Sequence, residues 1–301
     1  MKFVTAQLHG RTFLGLLFEE GLVIDIQKAE KKLYEEEFTP VSLLECLALG
    51  DKFVQHIETL AELVKKESER ESYVYSYEDI QLLAPIPRPM KNIFCVGKNY
   101  REHAIEMGSE NDIPTDVMLF SKTPTTVIAH QDEIDPHLDL TNELDYEGEL
   151  AVIIGKEGKR ILPNEAMDYV FGYTIVNDIT ARDLQKKHKQ FLLGKSLDTS
   201  CPMGPIVVHK SALPRPHQLT IETKVNGEVR QKANTEDMIF SIPEIISVIS
   251  KGTTLEPGDI IATGTPAGVG KGFNPPRFLK PGDVIDVTIE GIGTLSNKVR
   301  L

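Results

Sequence analysis

The sequence predicts a mostly β fold with mixed strands and few helices, preceded by a small α+β domain at the N-terminus. Three observations carry this. Short β-rich runs follow repeated Pro-Gly-Asp turns, at Pro257-Gly258-Asp259 before residues 260–263 and at Pro281-Gly282-Asp283 before 284–289. Asn226-Gly227 separates two β-rich runs, 219–225 and 229–232, a strong hairpin signal. Apolar residues recur at helical spacing in only a few windows, chiefly 42–67 and 241–250, the second with Pro243 in its first turn.

Composition narrows the function. The 301 residues suffice for one large domain or two unequal ones, and 41% hydrophobic with 26% charged residues is ordinary for a soluble globular chain. Asp and Glu number 45 against 33 Lys and Arg, a formal charge of −12. Nucleic acid and anionic membranes require a basic footprint, so neither is an expected partner. No window approaches the roughly 18 apolar residues of a spanning helix. Met1-Lys-Phe-Val-Thr enters an alternating pattern at once rather than a secretory leader, so the expected location is the cytoplasm. Cys46, Cys95 and Cys201 are odd in number and far apart, which predicts reduced structural thiols.

In chain order, residues 1–26 read as a meander turning at His9-Gly10-Arg11 and Glu19-Glu20-Gly21. Leu43, Leu44, Leu47, Phe53, Ile57, Leu60 and Leu63 predict two helices broken at Gly50. Residues 68–77 are polar, and Pro85, Pro87 and Pro89 stiffen a connector. The boundary falls there, giving an N-terminal domain 1–85 and a larger domain 86–301. The first carries no catalytic constellation and reads as a packing or assembly domain, with docking of a protein partner left open.

The larger part opens on a short apolar strand, 92–96. Asn99 and Glu102 have capping-box spacing, predicting a helix from Tyr100. His103 and Glu106 share one face of it, which suits a general base or a water-positioning pair. The following 107–116 stretch, rich in Gly, Ser, Asn, Asp and Pro, reads as a mobile lid. In 144–154, Leu144, Tyr146, Leu150 and Val152 alternate with Asp145, Glu147 and Glu149. Carboxylates in a row on one strand face repel unless something cationic lies between them, and few basic residues are near in sequence. A second buried strand, 171–176, ends at Asp178. Glu-x-Glu plus a distant Asp is an all-oxygen ligand set suited to Mg²⁺ or Mn²⁺. On these residues alone, a solvated edge strand remains the alternative. Residues 180–191 predict one helix. Gly264-Thr-Pro-Ala-Gly-Val-Gly270-Lys271 has one residue too many for a phosphate loop, and Gly272 stands where Ser or Thr would touch Mg²⁺. It reads instead as backbone that approaches a ligand closely.

Five motifs in this order resemble the fumarylacetoacetate hydrolase superfamily, from about Lys91 to Leu301. They are Cys95-Val-Gly-Lys-Asn-Tyr-Arg-Glu-His103-Ala-Ile-Glu106, Asp145-Tyr-Glu147-Gly-Glu149-Leu, Asn177-Asp178-Ile-Thr-Ala-Arg182-Asp, Lys195-Ser-Leu-Asp and Gly264-Thr265-Pro-Ala-Gly-Val-Gly270. The resemblance implies a rolled, mixed β-sheet catalytic domain and a homodimer. It implies Mg²⁺ or Mn²⁺ on Glu147, Glu149 and Asp178, and His103 with Glu106 as a mobile dyad. It places Lys122, Arg182, Gln185, Lys195 and Thr265 at the substrate pocket, Lys195 also in a catalytic role. Members hydrolyse acylpyruvates, decarboxylate oxaloacetate, or decarboxylate and isomerise intermediates of aromatic catabolism, so membership leaves the reaction open. What these reactions share is a metal-bound 2-oxo acid and an enolate. Three pocket cations in an acidic protein favour a small dicarboxylic 2-oxo acid as substrate. The expected reaction is oxaloacetate to pyruvate and CO₂, with acylpyruvate hydrolysis the close alternative. A non-enzymatic scaffold that docks a partner through the N-terminal domain is the reading from another class.

Overall fold

The computed structural model describes residues 1–19 and 21–301, so Glu20, in the expected 19–21 turn, lies outside the described residues. β1 (Lys2–Leu8) and β2 (Arg11–Leu17) pair across His9 and Gly10, both at positive φ (50° and 79°), as a type I′ turn requires. β3 (Leu22–Asp25) pairs with β2. It leads into a helix the sequence reading missed, α1 (Ile26–Tyr34), capped by the Asp25 carboxylate. Two of the residues α1 buries are polar, Gln27 and Glu30, which blurs its apolar period. Glu30 accepts from the backbone of Phe38 and Thr39 and lies 2.6 Å from His56. α2 (Leu43–Leu47) and α3 (Asp51–Lys66) break at Gly50, as their spacing predicts. β4 (Val74–Ser76) lies in the polar stretch where no strand was expected, and β5 (Gln81–Leu83) follows.

The next elements are β6 (Ile93–Gly97), α4 (Arg101–Glu106), β7 (Met118–Lys122), and the short β8 (Val127–Ile128) and β9 (Glu133–Ile134). Then come β10 (Leu144–Asp145), β11 (Gly148–Ile154), β12 (Val170–Asn177), β13 (Thr180–Ala181), α5 (Arg182–His188) and α6 (Leu192–Lys195). β14 (Cys201–His209) precedes the Asn226-Gly227 hairpin of β15 (Thr220–Val225) and β16 (Glu228–Asn234). α7 (Ile242–Ser250) starts on a Ser241/Glu244 capping box with Pro243 in its first turn. β17 (Ile260–Ala262), β18 (Val284–Ile289) and β19 (Gly293–Val299) complete the chain.

Three local expectations are corrected. Asn99 does not cap α4: its side chain donates to Thr263 O (2.8 Å) and Phe240 O (3.1 Å) and accepts from Phe240 N, tying three segments together. The run 144–154 is not one strand but breaks at Tyr146 and Glu147, between β10 and β11. The helix expected over 180–191 is divided, because Thr180 and Ala181 pair with β10 and the basic, apolar-poor end of α5 stops at Lys189 with φ 59°.

The strands form a mixed, sheet-dominated α+β fold. The large sheet runs β4-β3-β2-β1-β14-β12-β11-β17-β6-β7, with β5 on β1 and β8 on β14. β1 pairs with β14 (Lys2↔Val208), so the segment before residue 85 and the rest of the chain share one sheet. A second sheet, β16-β15-β18-β19-β9, faces β11 and β12. Every residue of β11 and of β12 is buried. Burying each large aliphatic side chain there contributes about 1.5–3 kcal/mol, which gives the site a rigid floor. Among the described residues, no helix is long and apolar enough to cross a membrane.

Candidate active site

Antiparallel register gathers acids that lie far apart in sequence. β11 begins where β12 ends, with Gly148 opposite Asn177 and Glu149 opposite Val176. Asp178 N donates to Glu147 O at 2.8 Å, closing the bend after β12. Glu147, Glu149 and Asp178 are all buried, and one carboxylate oxygen from each lies within 4.8 Å of the others. Only glycine fits between the two glutamates: a Cβ on Gly148 would lie 2.3 Å from Thr223 Oγ1 and 2.8 Å from Val287 Cγ1 of the second sheet.

The three acids have different partners. Glu147 lies 2.7 Å from both Arg182 Nη1 and Lys195 Nζ. Burial alone would raise its pKa, but Lys195 and Arg182 outweigh burial and hold it below the usual carboxylate range. Asp178 Oδ2 accepts from Lys195 Nζ at 2.7 Å. Its Oδ1 lies 2.9 Å from Lys122 Nζ yet makes no hydrogen bond. Glu149 has no ion-pair partner among the described residues; its Oε2 accepts from Gly264 N at 2.8 Å. Burial, then Asp178 and Glu147, raise the Glu149 pKa well above the ordinary value. Few basic residues are near these acids in sequence, and the fold brings Arg182, Lys195 and Lys122 to Glu147 and Asp178 while leaving Glu149 without an ion pair among the described residues. The donor set fits a hard divalent cation: three oxygen ligands converge, one without positive charge beside it and one with an unbonded oxygen.

Lys122, expected at the substrate pocket, lies beneath Asp178. Its ammonium donates to Ile179 O at 3.0 Å and to Lys195 O, and the residue is fully buried and forms no part of the cavity wall. Arg182, Gln185, Lys195 and Thr265 do line the cavity. Thr265 is also part of the framework, donating to Gly148 O (3.0 Å) and accepting from Gln231 Nε2 (2.7 Å). Gln231 in turn accepts from Gly148 N at 3.1 Å, a supporting role no local pattern announced. Asp145 stands apart from the ligand set although it belongs to the same acidic run. Its Oδ1 accepts from Gly270 N (2.6 Å), and its Oδ2 accepts from Arg182 Nε (2.8 Å) and Lys271 N (3.0 Å). One carboxylate thereby fixes both the guanidinium and the glycine-rich loop.

On α4, His103 Nδ1 lies 3.1 Å from Glu106 Oε2, and Glu106 Oε1 accepts from Gly268 N at 2.9 Å. The i, i+3 spacing therefore does pair them, and the glycine-rich loop holds the pair. His103 lines a cavity of about 310 Å³ whose buried end holds Glu147, Glu149, Arg182 and Lys195. Val96, Met118, Phe120 and Phe191 supply its apolar walls. Toward solvent it is lined by Lys98, Lys186, Lys189 and Lys271, a basic rim that the chain's acidic total concealed.

Residues 92–300 match the family described as fumarylacetoacetate (FAA) hydrolase C-terminal. The chain is 62% identical over 300 residues to oxaloacetate tautomerase YisK of Bacillus subtilis (strain 168), an alignment covering 99% of this chain and 100% of that relative. Among solved structures it resembles a fumarylacetoacetate hydrolase (EaFAH) from psychrophilic Exiguobacterium antarcticum, with 43% identity, TM-score 0.82, and coverage of 100% of this chain and 99% of that one. It also resembles 2-hydroxyhepta-2,4-diene-1,7-dioate isomerase from Mycobacterium marinum, with 31% identity, TM-score 0.74, and coverage of 100% and 98%. A family match over residues 92–300, full-length likeness to such relatives and the motifs meeting at one cavity lead to one conclusion: the chain belongs to the fumarylacetoacetate hydrolase family.

Proposed function

We propose that the protein is a metal-dependent enzyme of oxaloacetate that interconverts its keto and enol forms, using Mg²⁺ or Mn²⁺ held by Glu147, Glu149 and Asp178. The observation that carries this is a small cavity with lysines at its open end and, at its buried end, Glu147 and Glu149, whose carboxylates with that of Asp178 form a cation-ready triad. That polarity matches a short 2-oxo acid with an anionic group at each end. The 62% identical relative named as an oxaloacetate tautomerase supports the same substrate.

When bound, the divalent cation supplies Lewis-acid stabilisation of charge on the 2-oxygen. Arg182, oriented by Asp145 and Glu147, presents fixed positive charge to the 1-carboxylate end of the substrate. Burial alone would lower the Lys195 pKa, but Asp178 and Glu147 raise it. Lys195 therefore stays an ammonium and acts electrostatically rather than as a base. His103, its Nδ1 held by Glu106, carries the proton through Nε2. It takes a proton from C3, the C–H electron pair forms the C2=C3 bond, and the 2-oxygen becomes an enolate. The imidazolium then returns the proton to that oxygen, giving the enol; the reverse path gives the ketone.

Decarboxylation to pyruvate and CO₂, the reaction expected from the sequence, is the second reading because it passes through the same enolate. The bond on C3 that stands perpendicular to the keto plane decides which occurs. Purified protein with Mn²⁺ is expected to accelerate loss of the oxaloacetate enol absorbance far beyond Mn²⁺ alone, with pyruvate release measured in parallel. A kcat/KM for acetylpyruvate above that for oxaloacetate would instead favour acylpyruvate hydrolysis.

Closure of α4 and residues 107–116 belongs to this reading. Asn99 is pinned to Thr263 and Phe240, so movement begins after it. Beyond it, Glu106 to Gly268 N and Lys98 to Asp112 (3.6 Å) are polar ties to the cavity wall. Hydrogen exchange over residues 101–116 is expected to slow when oxalate and metal are added. Equal protection in both states would remove the lid from the mechanism.

A further inference from the structure

The oxaloacetate reading accounts for one carboxylate at the buried end of the cavity and leaves the other, at C4, to be placed. Of the six lysine and arginine side chains that line the cavity, Lys98, Arg182 and Lys195 are paired with acids. Lys195 bridges Glu147 and Asp178 at 2.7 Å each, and Arg182 is held by Asp145 and Glu147, its buried Nη2 alone left without a hydrogen-bond partner and open to the 1-carboxylate. Lys98 faces Asp112. Lys186 and Lys189 lie at the exposed end of α5, beside Lys187 and His188.

Lys271 differs from all of these. Unlike Lys98, Arg182 and Lys195, its ammonium makes no ion pair or hydrogen bond among the described residues, and unlike the equally unpaired but exposed Lys186 and Lys189 it is partly buried in the cavity wall. Its backbone is nonetheless fixed, because Lys271 N donates to Asp145 Oδ2, the same oxygen that accepts from Arg182 Nε. A single carboxylate therefore sets the distance between the guanidinium at the buried end and the Cα from which the lysine chain extends. Extended, that chain spans roughly 6 Å from Cα to Nζ, the scale of a four-carbon diacid.

We infer that Lys271 binds the C4 carboxylate of the substrate and, by holding it ionised, directs turnover toward tautomerisation and away from CO₂ loss. This inference rests on the oxaloacetate reading. Tautomerisation moves one proton between C3 and the 2-oxygen and leaves the C4 charge where it is. Decarboxylation breaks C3–C4: the bonding pair forms C2=C3 as charge moves to the 2-oxygen, the carboxylate's own charge forms the second C=O of the departing CO₂, and the enolate then takes a proton at C3. An ammonium paired with the C4 carboxylate stabilises the reactant of the second path, since that charge must leave, and is neutral toward the first.

The test compares wild type, K271M, K271Q and K271R on oxaloacetate and on its 4-methyl ester, which lacks the C4 charge. Wild type is expected to prefer the diacid by about tenfold or more in kcat/KM, the scale of one charge-assisted contact. K271M and K271Q should lose that preference and release more pyruvate per tautomerisation turnover, and K271R should restore both. A K271M and a K271Q that keep the wild-type preference and product ratio overturn the assignment of Lys271. Wild type inert toward oxaloacetate overturns the substrate reading itself, and this inference with it.

Discussion

Glutamine in place of Glu149 is expected to abolish turnover while stabilising the metal-stripped protein near neutral pH. Glu149 is the one of the three gathered carboxylates with no ion-pair partner among the described residues, and burial with two neighbouring carboxylates raises its pKa. The sign follows from that direction. A carboxyl whose folded pKa lies above its unfolded value contributes fully below the unfolded value, and that contribution is lost as pH rises through the folded one. Near neutral pH the stripped wild type thus retains a proton against the solvent or buries an uncompensated charge. Glutamine removes either cost and keeps an oxygen to accept from Gly264 N. A divalent cation also removes it, by replacing the proton, so metal binding should strengthen as pH rises. Thermal melts from about pH 6 to about pH 8 should show Mg²⁺ or Mn²⁺ raising the wild-type Tm by a few degrees, more at the higher pH. E149Q should show no such rise and should lose more than about 100-fold in activity. Full wild-type activity in excess chelator would end the metal assignment.

Replacing His103 by alanine should separate proton transfer from metal binding. His103 is not among the gathered carboxylates, so H103A should keep the metal-induced rise in Tm. It should lower kcat on oxaloacetate about 10²–10⁴-fold, the usual range for a positioned proton-transfer group. Glu106 acts through His103 and through Gly268 N, so E106Q should fall between wild type and H103A. An H103A enzyme with wild-type kcat would place the proton carrier elsewhere in the cavity.

Much of this protein is legible wherever structure depends on residues close in sequence. His9-Gly10 and Asn226-Gly227 announce hairpins because those positions require positive φ, and Ser241 with Glu244 announces a helix start because a side chain can satisfy its first amides. His103 and Glu106 pair because three residues along a helix return to the same face. The failures are equally physical. Glu30 and Gln27 hide α1 because their partners, His56 and the residue 38–40 backbone, come from later in the chain. Asn99 has the spacing of a cap, but Thr263, just after β17, and the segment before α7 compete for its amide and win.

By itself the sequence determined the family, and it made the His103/Glu106 pairing and the Glu147-x-Glu149 half of the acidic cluster legible, since these are written in residue types at short spacings. Only the tertiary structure decided how charge is shared among them. Asp145 and Glu147 are two residues apart and alike in sequence, yet one clamps Arg182 and Lys271 while the other faces the cavity. The resemblance implies Lys122 at the substrate, yet it lies beneath Asp178, whereas Lys271, which no local pattern singles out, lines the cavity. The reason is that a backbone's local geometry is set by its near neighbours. The partner of a buried charge is set by which strands lie side by side, and here the β11–β12 register and the Asp145 contact make that choice.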